Sequence, residues 1–91
     1  IIKTGGFIMT KKQREKHISN LIDVVRDNSF TIDRWGNYTR KHGDNVFRIK
    51  LMKNNLRFEV KKDAPKMTWF NIMSKPFIRI DVDELSKILQ N

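Results

Sequence analysis

Four basic side chains recur at short, regular spacing between Val46 and Lys62: Arg48 and Lys50 in the first half of the segment, Arg57 and Lys61 in the second. Cations two or four residues apart along extended chain project from one face, where they can neutralise phosphates of a polyanion. The residues between them, Phe47, Ile49 and Leu51, then Leu56, Phe58 and Val60, complete a period-two pattern on each half. The segment therefore predicts a β-hairpin with one apolar and one basic face. Taking Asn54-Asn55 as its two central turn residues, because Asn tolerates positive φ, the expected register sets Leu51 opposite Phe58, Ile49 opposite Val60 and Lys50 opposite Glu59.

The charge map singles out the same segment. The chain has 91 residues and a net charge of +9. Residues 46–62 carry six bases against one acid, and residues 1–17 carry five bases against one, whereas residues 18–45 and 63–91 are each balanced. A positive field patterned in this way suits an anionic partner. Lys53 at the hairpin turn, and Lys11, Lys12, Arg14 and Lys16 in the N-terminal region, extend the basic set. Trp69, Phe77 and Arg79 join the outer face if alternation continues, with Trp69 and Phe77 as the candidate aromatic platforms for stacking bases. Trp35 and Tyr38 are further aromatics whose structural role, as a cross-strand pair about Gly36-Asn37, is the stronger expectation.

Other chemistry has little support. There is no cysteine, which removes disulfides, thiol catalysis and Cys-based zinc sites and suits a reducing cytoplasm. His42 and His17 are isolated imidazoles, His42 in a loop and His17 between Lys16 and Ile18 at the margin of the apolar stripe of the first helix, and neither has the neighbours a metal site needs. The glycines make no phosphate-cradling loop. No apolar run reaches the roughly 20 residues of a membrane span. No metal or cofactor is implied.

The string Phe58-Glu59-Val60-Lys61 has the apolar-Glu-apolar-Lys form of the metal-binding strand in PD-(D/E)xK nucleases, and in this respect resembles that family. The resemblance implies Asp44 and Glu59 as metal ligands beside Lys61. In the expected register, however, Asp44 lies six residues along its strand from the position opposite Glu59, roughly 20 Å away, and Pro65 stands where that family continues into a helix. Glu59 is more simply a charge partner for a cross-strand base. The order helix, strands, helix is similar to that of the double-stranded-RNA-binding domain, but Asp81, Asp83 and Glu84 occupy the end of the second helix where that family presents bases to phosphates.

The elements that must position the basic face are short. Thr10 and Gln13 form a capping-box pattern before the stripe Ile18, Leu21, Ile22, Val25, which predicts a helix from Lys11 to Asp27 stopped by Asn28. Phe30-Ile32 and Tyr38-Lys41 predict short strands, with His42 to Asn45 a loop. Thr68 to Met73 and Phe77 to Asp81 predict strands separated by a break at Ser74-Lys75-Pro76, and Asp81 with Glu84 opens a short helix carrying Val82, Leu85, Ile88 and Leu89. Residues 1–8 read as a disordered leader upstream of Met9, and residues 9–91 as one domain. The expected architecture is α+β: an antiparallel sheet of four or five strands with both helices on one face.

The functional expectation is a non-enzymatic, cytoplasmic nucleic-acid-binding domain using the open sheet face, with the form of the nucleic acid undetermined. The alternative is a small protein-interaction module, an inhibitor or accessory subunit docking on an acidic protein surface. A homodimer through an exposed sheet edge is a further expectation.

Overall fold

The computed structural model describes residues 10–90; the expectation for residues 1–8 lies outside them. Thr10 caps helix α1 (Lys11–Asp27) through the reciprocal pair with Gln13 that the sequence predicts. The helix stops as its residues dictate. Asn28 is the C-cap, Ser29 takes a left-handed φ of 71°, and Phe30 N–H reaches back to the Val25 carbonyl while Ser29 N–H reaches Arg26. These two hydrogen bonds close the helix end and fold buried Phe30 against buried Val25.

Five strands follow in sheet order: β1 (Thr31–Ile32), β2 (Tyr38–His42), β3 (Asn45–Leu51), β4 (Asn55–Lys62) and β5 (Phe70–Pro76), every neighbouring pair antiparallel. A 3-10 turn (Phe77–Arg79) and helix α2 (Val82–Gln90) complete the described chain. The arrangement is α+β. Both helices cover one sheet face, where Leu21 and Val25 of α1 and Leu85 and Leu89 of α2 close on Ile49, Leu56 and Phe58. Directly opposed residues share a face, so Tyr38, Ile49, Phe58 and Met73 form one inward row across four strands. No described helix is long and apolar enough to cross a membrane.

The hairpin has the expected faces but not the expected register. Leu51 pairs with Leu56, Ile49 with Phe58 and Phe47 with Val60, so Glu59 stands opposite Arg48, and Lys50 opposite Arg57. The turn centres on Lys53-Asn54, closed by Met52 N–H to the Asn55 carbonyl at 2.8 Å, and neither central residue has a positive φ. The tolerance that favoured an Asn-Asn centre is thus unused. Instead Asn54 serves as an acceptor: its side chain and the Lys53 carbonyl bind Arg14 of α1 at 2.9 and 2.7 Å, and its carbonyl receives Phe77 N–H at 2.9 Å. A shift of two residues preserves the faces because the side-chain period is two.

The C-terminal strands also differ from expectation. Strand β5 runs through Ser74 and Lys75 to end at Pro76, which is tolerated at the end of an edge strand because no ladder donor is needed there. Phe77 to Arg79 is a 3-10 turn rather than strand, so Phe77 and Ile80, three residues apart, both face the core and Ile78 is exposed. A bulge at Ile72 shifts the β4–β5 register between Phe58 and Glu59.

Candidate functional site

The helices leave the other sheet face open. Its central row is Thr39, Arg48, Glu59 and Asn71; Lys50, Arg57 and Ser74 lie on one side of it, and Lys41, Val46 and Lys61 on the other. Over this surface runs a groove of about 810 Å³, lined among others by Arg48, Lys50 and Lys61, with Trp35 and Trp69. The expected basic residues of the hairpin strands therefore do come together, with Trp69 beside them.

Glu59 organises the centre. It is only 5% exposed although it lies on the open face. Its Oε1 accepts from Arg48 at 2.8 Å (Nε) and 2.7 Å (guanidinium NH2), and Oε2 lies 3.7 Å from Arg57. The Arg48 guanidinium carbon in turn lies 4.0 Å from the Trp69 ring centroid, and the Lys61 ammonium 4.9 Å from it. The indole thus holds two cations by the attraction of its negative face. The Lys50 side chain has neither ion pair nor hydrogen bond among the described residues.

The groove walls come from two connections. The loop from Asp33 to Asn37 is wound around one carboxylate: Asp33 Oδ1 accepts from Trp35 N–H and Asn37 N–H, both at 2.9 Å, while Asp33 N–H donates to the Asn37 carbonyl at 2.7 Å. This sets Trp35 in the turn, 73% exposed, and leaves Tyr38 opposite Ile49 on the inner face. The expected Trp35–Tyr38 pair does not form, because the turn begins before Trp35 and the two rings belong to opposite faces. At the other end, Asp63 takes an ion pair from Lys41 at 2.7 Å. The hydrogen bond from Lys41, then its charge, hold the Asp63 carboxyl below its ordinary range, and Asp63 raises Lys41 in the same order of causes.

Several expected site residues lie elsewhere. Phe77 is 2% exposed and belongs to the core, so it offers no stacking surface; the 3-10 turn, not strand alternation, sets its direction. Arg79 is exposed on that turn rather than on the sheet face. Arg14 is committed to the β3–β4 turn, next to Lys53, and Lys11 and Lys12 are exposed in the first turn of α1, on the helical layer. Sequence reasoning did not anticipate Asp33 as the residue that fixes Trp35, although an aspartate two residues before a tryptophan and three before a glycine is an Asx-turn signal.

Among the described residues the nuclease-like string gathers no metal-ligand cluster. Glu59 is occupied by arginines, and Asp44 lies four residues along from Arg48, about 13 Å at strand rise. The chain matches no known family, no curated protein and no solved structure. The reading of the groove therefore rests on its own chemistry.

Proposed function

We propose that this chain is a cytoplasmic, non-enzymatic nucleic-acid-binding domain whose contact surface is the open face of the sheet. The observation that carries this reading is the gathering of Arg48, Lys50 and Lys61 in one groove with two tryptophans. Lysines without acidic partners and an exposed indole contribute little to folding, but they are what phosphates and bases require. Lys50 and Arg57 face each other directly, a like-charge pairing that costs the sheet stability and that a bound phosphate relieves. Lys11, Lys12 and Lys53 add non-specific attraction at the periphery. The test is affinity for DNA and RNA as salt is raised: the wild type should bind with a log–log salt dependence that weakens when Lys50 is replaced by Glu, and an unchanged affinity and slope would remove the site assignment.

The second reading, a protein-interaction module, is favoured by a different observation. Strand β5 is a sheet edge on which Phe70 is 71% exposed and Ile72 is also exposed. A protein partner or a second copy of the chain pairing there would leave the groove free, so charge reversal at Lys50 would not disturb it.

A further inference from the structure

We infer that the ligand of the groove is single-stranded and that Trp35 is its base-stacking platform; this rests on the reading that the open sheet face takes nucleic acid. The charge of the groove is smaller than its residue types suggest. Arg48 is neutralised by Glu59, and Arg57 shares the same carboxylate. Among the described residues, the bases left without an ion pair on the groove floor are Lys50 and Lys61, about 13 Å apart along the strands. Two lysines make a short phosphate track, which alone gives a log–log salt slope of about −1.4 on a single strand.

Affinity in such a groove must come largely from something other than phosphate contacts, and the tryptophans supply it unequally. Trp69 is half-buried and its ring already holds Arg48 and Lys61. Trp35 is 73% exposed, with the Arg34 guanidinium carbon 4.8 Å from its ring centroid, yet its backbone is fixed by Asp33. A large indole held in water on a rigid turn is a preorganised surface for another flat ring. Duplexes keep base faces stacked inside and present only base edges; unpaired strands present the faces themselves. Asp33, a carboxylate in a basic groove, is explained in the same terms, since it is the brace of the Trp35 turn rather than a phosphate contact.

The experiment measures binding of the full chain to a short oligothymidylate, to an abasic oligomer with the same number of phosphates, and to a duplex of the same length, with oligouridylate added to distinguish RNA from DNA. The oligothymidylate should bind about tenfold tighter than the abasic oligomer, quench tryptophan fluorescence, and fall to the abasic level in Trp35→Ala. Because Trp35 is exposed, that variant should keep the wild-type thermal melt, which checks its folding. Equal affinity for the oligothymidylate and the abasic oligomer, or tighter binding of the duplex, would overturn the inference while leaving the nucleic-acid reading standing. Failure of all of them to bind at low salt would remove that reading as well.

Discussion

Arg48 and Glu59 face each other across β3 and β4, and the buried carboxylate receives two nitrogens of the guanidinium at 2.7 and 2.8 Å. A charge-assisted pair of this geometry, with Arg57 and Trp69 beside it, ties the two central strands together on the face opposite the core. Replacing Glu59 with Gln leaves a half-buried arginine without its counter-charge. The expected cost is about 1–3 kcal/mol, measured by urea unfolding, and Arg48→Met in the Glu59→Gln background should recover part of it.

Lys50 and Arg57 make the opposite case. Two like charges directly opposed on a sheet destabilise it, so Lys50→Glu should raise stability by about 0.2–1 kcal/mol through a new cross-strand attraction. The same substitution should weaken nucleic-acid binding. Stability and affinity moving in opposite directions, read by unfolding and by titration of one variant, is the expected signature of a position retained for binding.

The pattern of the hairpin shows which parts of this structure are legible in sequence. Alternation in β3 and β4 names the faces, and Thr10 with Gln13 names the start of α1, because both are local rules. The register was not legible. It depends on Asn54 being used by Arg14 and Phe77, residues distant along the chain. Phe77 likewise reads as strand in sequence because Phe77, Ile78 and Ile80 suit either period; only the turn after Pro76 decides that Phe77 and Ile80 point inward. The hairpin bases could be placed on one face because an even register error keeps them there, whereas the setting of Trp35 required knowing that Asp33 would wind the loop before it.

Arg40 is a structural cation that the charge map does not distinguish from the others. It lies on the inner face opposite Phe47, and one guanidinium nitrogen donates to the carbonyls of Asn28 and Leu89 at 2.9 and 3.2 Å, joining the C-terminal ends of both helices. Its guanidinium carbon is 4.9 Å from the Phe30 ring centroid and 5.9 Å from that of Phe47. Favourable placement at two negative helix ends, with this packing, predicts that Arg40→Ala costs about 2 kcal/mol. Nucleic-acid affinity at a temperature where the variant remains folded should change little, which separates Arg40 from Lys50.

The Lys41–Asp63 pair gives the fold a pH dependence with a definite sign. Asp63 has its carboxyl lowered, so its contribution is present above the ordinary aspartate value of about 3.9 and is lost as pH falls through the lowered value. Lys41 is raised, so its contribution is present below about pH 10.4 and is lost as pH rises through the raised value. Melting temperatures of the wild type and Asp63→Asn should therefore differ by a constant, small amount across neutral pH and converge in strong acid and strong base. A difference that persisted unchanged into strong acid would contradict this assignment.

The central claim, that the open sheet face is the binding surface, is tested most directly by amide and indole chemical shifts of the isotope-labelled chain during titration with a single-stranded oligonucleotide. The account predicts shifts at the Trp35 and Trp69 indole N–H groups and along residues 46–50 and 57–61, with the helices little affected. Shifts confined to Lys11, Lys12 and their neighbours on α1, or no shifts at saturating oligonucleotide, would contradict it.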